Sequence, residues 1–290
     1  MLMNKIAASL IGAAAALAFS TSALAAPTNT NKLSVIGLTD VGTLVSFKLS
    51  SPSGTTREIG SVQGLVGDTA LVGIDFRVQN GALYGVGNAG GIYLIDTTTA
   101  AASLQHRLTV ALSGTRFGVD FNPAANALRI ISDNGQNLRQ PFPAVGSGAP
   151  FVATASDASL NTGVGTPAPV VSGVTAAAYV NNDLSTVTAT TLYDINVSTG
   201  QVVVQSPANS GIVVASGSLA VPGLTGNASF DIHSDLNEAG ETISNRAFAA
   251  LATASGTSVY SVDFSSGRAT EIGAINPAYA LRDIALPLGQ

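Results

Sequence analysis

The chain contains no cysteine and no tryptophan, only two histidines, and a charged fraction of just 10%. Without cysteine there is no disulfide, thiolate metal centre or thiol nucleophile, so stability must come from a buried core. The two histidines, His106 and His233, lack the local spacing of a zinc site. No Gly-x-Ser-x-Gly elbow accompanies them, as an ordinary serine hydrolase would require. The absence of tryptophan weakens the case for a sugar-stacking platform, although Tyr84, Tyr93, Tyr179 and Tyr279 are available as substitutes. Long helical periodicity is also missing. Lysine and arginine are absent between Gln140 and Asn245, where Asp157, Asp183, Asp194, Asp231, Asp235, Glu238 and Glu241 all fall. With a net charge of −5 and no basic stripe, the chain is not built to track a nucleic-acid backbone.

What is present begins with a targeting segment. Lys5 supplies a positive start, Ile6 to Phe19 an apolar run, and Ala23-Leu24-Ala25 a small-residue cleavage pattern. Residues 1–25 are therefore expected to be a signal peptide and residues 26–290 a single domain. The apolar run is too short for a spanning helix, and no later segment has that length. No cysteine is available for a lipid anchor. The expected product is periplasmic or secreted, without a membrane anchor.

The body of the chain repeats itself. Leu71-Val72-Gly73-Ile74-Asp75-Phe76 recurs as Arg116-Phe117-Gly118-Val119-Asp120-Phe121, with weaker echoes at Ala176-Ala177-Ala178-Tyr179, Ser229-Phe230-Asp231-Ile232 and Leu281-Arg282-Asp283-Ile284. Each is followed by alternating strands such as Gly91-Ile92-Tyr93-Leu94-Ile95 and Ser258-Val259-Tyr260-Ser261-Val262. The unit is four antiparallel strands, and its recurrence every 45 to 58 residues divides the chain into five. An all-β, five-bladed β-propeller with four-stranded blades is expected. The first unit lacks its first strand, and the lone strand near Leu281 completes it, closing the ring and hiding two sheet edges. A closed ring of this kind is expected to be a monomer. Phe142 to Val174, rich in Gly, Pro, Ala, Ser and Thr, reads as a long covering loop between the third and fourth blades.

A family resemblance follows from these residues. Gly118-Val119-Asp120-Phe121-Asn122-Pro123, Leu128-Arg129 and Ser132-Asp133-Asn134-Gly135-Gln136-Asn137-Leu138-Arg139 resemble the signature of the bacterial domain-of-unknown-function family 4394. Ala177 to Asn182, Thr191 to Ile195, Ser206 to Gly211 and Val259 to Asp263 fit it too. The resemblance implies an exported, propeller-like domain and carries over no activity.

Two groups of residues carry candidate chemistry. Asp75, Asp120, Asp231 and Asp283 share one repeated position, with Ala178 breaking the series. If they face the channel, four carboxylates converge and suit a Ca²⁺ or Mg²⁺ ion. Groups repeated blade after blade more often serve the blade itself, so a structural role is preferred and no cofactor is required. The third blade gathers Arg129, Asp133, Gln136, Asn137 and Arg139, a candidate ligand-binding patch whose arginine forks suit a carboxylate or sugar acid. An internal ion pair or a solvated face is the preferred reading of these residues, since such pairs are common on surfaces.

Apparent motifs elsewhere fail. Gly85-Val86-Gly87-Asn88-Ala89-Gly90 leads into a strand, so no helix N-terminus follows to hold a dinucleotide. Asp235 to Arg246 lacks the third ligand and the closing glutamate of a calcium loop. Asp40, Asp68 and Asp157 are unpaired, non-periodic acids that glycoside cleavage would need in a defined geometry. The expected function is a non-catalytic binding module for a small molecule, glycan or protein. The alternative is a propeller-type hydrolase or lyase acting on a glycan or lactone with calcium in the channel.

Overall fold

A computed structural model describes residues 33–289; the expected signal peptide lies outside them. Three strands, β1 (Ser34–Thr39), β2 (Thr43–Lys48) and β3 (Arg57–Ser61), start the first blade. The second blade is β4 (Leu71–Arg77), β5 (Ala82–Gly87), β6 (Gly91–Ile95) and β7 (Ala102–Arg107). The third is β8 (Phe117–Asn122), β9 (Ala127–Ser132), β10 (Asn137–Pro141) and β11 (Ala155–Ser156). The fourth is β12 (Val174–Tyr179), β13 (Leu192–Asn196), β14 (Gln201–Gln205) and β15 (Val213–Ser218). The fifth is β16 (Leu224–Leu236), β17 (Thr242–Thr253), β18 (Gly256–Val262) and β19 (Ala269–Ala274). Finally β20 (Leu281–Ala285) pairs antiparallel with β1, giving the first sheet the order β20-β1-β2-β3.

This is the expected five-bladed propeller with its ring closed by the C-terminal strand. The inner strands touch all round the channel: β4 with β8, β8 with β12, β12 with β16, β16 with β20 and β20 with β4. Five apolar clusters fill the five spaces between blades. One sets Leu38 and Leu44 against Ile74, Leu83 and Tyr93; another sets Val72, Tyr84 and Val86 against Val119, Phe121 and Leu128. A strand buried on both faces needs apolar residues at successive positions, not alternate ones. That is why β4 reads Leu-Val-Gly-Ile-Asp-Phe-Arg and is buried throughout.

The covering loop does more than connect. Its residues Ala155 and Ser156 pair with Arg139 and Leu138, supplying the outermost strand of the third blade. Phe151 stacks on His106 of the second blade, with ring centroids 4.5 Å apart. A two-residue strand carries no periodic signal, which is why sequence patterning reads the segment as loop alone.

The fourth and fifth blades are joined differently from the rest. Asn181 and Asn245 exchange two hydrogen bonds: the Asn181 amide N–H donates to Asn245 Oδ1 at 2.9 Å, and Asn245 Nδ2 to Asn181 Oδ1 at 2.7 Å. Asn182 donates twice, its N–H to Ser234 Oγ at 2.8 Å and its Nδ2 to the Ile232 carbonyl at 2.7 Å. The Thr242 N–H donates to Asp183 Oδ2 at 3.0 Å. Removing one side of such a part-buried pair strands its partner, at about 1–3 kcal/mol. Asn245→Ala is therefore expected to lower the urea midpoint by that equivalent with the slope unchanged. An unaltered midpoint would show that the apolar cluster alone holds these two blades.

Candidate functional site

The repeated aspartates sit on the inner strands, at the channel, and each reaches the next blade. Asp283 Oδ2 accepts the Ile74 N–H of β4 at 2.8 Å. Asp75 Oδ2 accepts the Phe121 N–H of β8 at 2.7 Å. Asp120 Oδ1 accepts the Tyr179 N–H of β12 at 3.0 Å. Asp231 Oδ2 accepts the Leu286 N–H, just beyond β20, at 2.5 Å. The second oxygen of Asp75, Asp231 and Asp283 accepts the N–H of the following residue on its own strand. An inner strand is an edge strand whose channel-side amides have no ladder partner; the carboxylates supply one. At Asp75 and Asp120 a glycine two residues earlier lets the blades approach closely, since a Cβ at Gly118 would stand 2.7 Å from the backbone of Ala176 and Ala177.

Carboxylate oxygens of Asp75, Asp120 and Asp231 lie within 4.8 Å of one another. All three, with Asp283, are buried. Burial pushes the Asp75 carboxyl well above its ordinary range, with repulsion from Asp231 and Asp283 adding to it against the pull of the Phe121 and Phe76 amides. Asp120 is raised by burial and then by Asp75 and Asp231. Burial raises Asp283 too, and lifts Asp231 to about 7 against the opposing Leu286 and Ile232 amides. These residues are the group that could hold a hard cation; without one, the cluster keeps protons instead of charge.

The third-blade patch is brought together around a carboxylate of its own chain. Arg129 is 1% exposed. Its Nη1 donates to Asp157 Oδ2 and to Asn137 Oδ1, both at 2.7 Å, its Nη2 to Asn209 Oδ1 at 2.7 Å, and its Nε to the Tyr179 hydroxyl at 3.3 Å. Arg139 donates to both oxygens of Asp157, at 3.1 and 3.2 Å. Asn137 Nδ2 donates to the Ala158 and Ala208 carbonyls. Asp133 lies apart, accepting the Thr115 N–H and hydroxyl. Gln136 accepts from the Ser113 N–H and donates to the Ala111 carbonyl. The forks that suit a carboxylate thus hold Asp157, and the group ties the covering loop to the third and fourth blades.

The other non-periodic acids are likewise engaged. Asp68 accepts from the Tyr93 hydroxyl at 2.6 Å and pairs with Arg107 at 3.2 Å. Asp40 pairs with Arg282 at 3.1 Å. His233 is buried, 3.6 Å from Asp235, and burial and then Arg246 push its pKa down, Asp235 opposing. Asp194, which the sequence patterning passes over, is fully buried with neither oxygen hydrogen-bonded among the described residues. Burial raises it well above the ordinary range, against a pull from Arg129.

A cavity of about 680 Å³ opens beside these elements. Val78 and Gly81 come from the β4–β5 turn, Asn182 to Thr186 from the β12–β13 connection, Leu236 and Ala239 to Glu241 from the β16–β17 hairpin, and Leu288 and Gly289 from beyond β20. All follow inner strands, so the cavity stands at one mouth of the channel. The β16–β17 hairpin overhangs it: β16 runs to Leu236, five residues past Asp231, while β4, β8 and β20 end two past their aspartates. The three extra residues add roughly 10 Å. Nothing in the repeat foretells this wall, which is built from the turns where the blades differ.

The fold and site define an asymmetric five-bladed propeller with a carboxylate-clipped channel and one walled mouth. A family model described as a domain of unknown function, DUF4394, matches residues 43–285, and the chain belongs to that family. No curated protein matches it. Among solved structures it is similar to an auxiliary nutrient binding protein of Bacteroides ovatus, at 14% identity and a TM-score of 0.40, over 63% of this chain and 46% of that one. It is similar to the hydrazine synthase of Kuenenia stuttgartiensis, at 13% and 0.39, over 73% and 52%. A candidate 6-phosphogluconolactonase of Bacteroides fragilis gives 12% and 0.39, over 86% and 83%. The chain spans about half the length of the first two. Likenesses this distant carry no argument about function.

Two outcomes are expected. An aspartate whose folded pKa is raised keeps its proton after the unfolded chain has released its own, so unfolding releases protons and stability falls as pH rises. For Asp231 that window runs from the ordinary value of 3.8 to about 7. Thermal midpoints should therefore decline from pH 4 to pH 7, and Asp231→Asn should flatten the decline; a midpoint rising over that range would contradict protonated channel acids. At the third blade, Arg129→Ala takes from Asp157 its buried partner, leaving only the part-exposed Arg139, and strands the Asn137 and Asn209 amide oxygens; it should cost about 3–5 kcal/mol, against under about 1 for Arg139→Ala, by denaturant unfolding.

Proposed function

We propose that this protein is an exported, non-catalytic binding propeller whose ligand enters the walled channel mouth. The observation that carries this reading is the cavity itself. Its volume of about 680 Å³ falls within the roughly 300–1,000 Å³ of small-molecule sites. Its walls are the irregular turns of an otherwise regular scaffold, where binding residues concentrate. The leader-like start of the sequence supports export.

One observation favours a second reading, the hydrolase or lyase acting on a glycan or lactone. Three converging carboxylates match the oxygen-rich, hard-cation chemistry of Ca²⁺. Against it stands the engagement of each carboxylate with a neighbouring strand.

Thermal shift against a library of sugars, amino acids, dipeptides, amines, hydroxy acids and lactones separates these readings. A compound at about 100 times its Kd should add roughly 2.7 kcal/mol, a rise of a few degrees. Thr186→Trp, placed to fill the mouth, should abolish that rise, and the compound should be recovered unchanged. Stabilisation that survives the substitution would put binding elsewhere. Under the binding reading, EDTA followed by millimolar Ca²⁺ leaves the midpoint unmoved; a rise with Ca²⁺ that Asp120→Asn abolishes would favour the second reading.

A further inference from the structure

The charges on the cavity wall are of one sign. Its lining includes Asp183 and Glu241 and, among the described residues, no lysine, arginine or histidine. Asp183 accepts the Ser185 N–H at 2.9 Å and the Thr242 N–H at 3.0 Å, both neutral donors. Burial opposes its ionisation, but bonds from Thr242 and Ser185 outweigh this and hold its pKa below the ordinary range. Glu241 is exposed and accepts from Asn237 Nδ2 at 3.2 Å, again a neutral donor. The contrast is Asp235 on the same hairpin, whose charge Arg246 meets at 2.5 and 2.9 Å. The cation closest along the chain to the β4–β5 turn, Arg77, is turned away, donating to Asn126 at 2.9 Å and to the Pro143 carbonyl at 2.7 Å.

The remainder of the wall is apolar. Val78, Leu184, Leu236 and Leu288 line the cavity, and Leu184 is 62% exposed. Ile243 and Val187, on the same hairpin and connection, are 68% and 86% exposed. Uncovered aliphatic side chains gathered at one opening mark a contact surface. No aromatic residue is among the lining, so a sugar ring finds no stacking face there.

We infer that the mouth takes an organic cation, a small ligand with an amine on an apolar body. The inference rests on the binding reading above and adds to it the class of ligand. The apolar part lies against Leu184, Leu236 and Leu288, and the ammonium group meets the uncompensated field of Asp183 and Glu241. The same field disfavours a carboxylate or phosphate.

Three probes of one shape separate charge from shape: phenylbutylamine, phenylbutanol and phenylbutyrate. Each is titrated into the full protein at neutral pH, with the leucine methyls followed by NMR and affinity measured by calorimetry. The amine is expected to bind about five- to tenfold more tightly than the alcohol, and the acid more weakly than both. The signals of Leu184, Leu236 and Leu288 should move. Glu241→Gln, at an exposed position, should cut the amine's advantage about threefold while leaving the alcohol unchanged, and high salt should do the same. Equal affinity of all three at these methyls, or an advantage indifferent to both Glu241→Gln and salt, overturns the charge inference and leaves the cavity reading standing. No movement of these methyls with any probe overturns both.

Discussion

The structure depends on one recurring hydrogen bond, from an inner-strand amide of one blade to a carboxylate oxygen of the blade before it. Each blade of a propeller keeps two edges, an outer strand facing away from the ring and an inner strand facing the channel, and the channel is lined by the unpaired sides of five inner strands. Water satisfies such groups in a wide channel. Here the strands stand so close that a Cβ at Gly73 would lie 2.5 Å from Val119, and an aspartate does the work instead. The consequence is electrical. Bridging four interfaces in this way gathers four acids in one buried column, and burial with mutual repulsion shifts them toward their protonated forms.

One interface in the ring lacks the carboxylate, because Ala178 takes its place on β12. The fourth and fifth blades are joined by Asn181, Asn182 and Asp183, which reach Asn245, Ser234, Ile232 and Thr242 beyond the end of the regular strands. Moving the tie outward from the channel requires a long β12–β13 connection and a long β16–β17 hairpin to carry it. Those two elements are also the wall of the mouth cavity. The gap in the repeat and the asymmetry of the candidate site are thus two sides of one arrangement.

Much of the architecture was legible because repetition makes local patterns redundant. Five echoes of one strand, four of them with the aspartate at the same place, give the number of blades even where a single echo is weak. The lone strand at Leu281 to Ala285 is identified by what the first blade lacks. What was not legible is unique and non-local. Asp157 meets Arg129 across 28 positions and Asn209 meets it across 80, and no spacing rule links them. The two-residue β11 is too short to alternate. The aspartate series was visible as a series, but whether it faced metal or amide depended on strand-to-strand distances that composition does not contain.

The channel and the mouth differ in how they treat negative charge, and the difference follows from solvent. In the channel, burial outweighs the amides and pushes the carboxyl pKa values up. At the mouth, Asp183 sits where hydrogen bonds outweigh burial, and it ionises. Negative charge is therefore displayed only at the rim, beside uncovered leucines, while the column beneath is kept close to neutral. A cation arriving at the rim meets ionised carboxylates without paying to deprotonate any. A cation entering the column must displace protons and weaken the clips that hold the blades together. The proposed organic cation is therefore favoured at the rim, where its binding leaves the clips between blades intact.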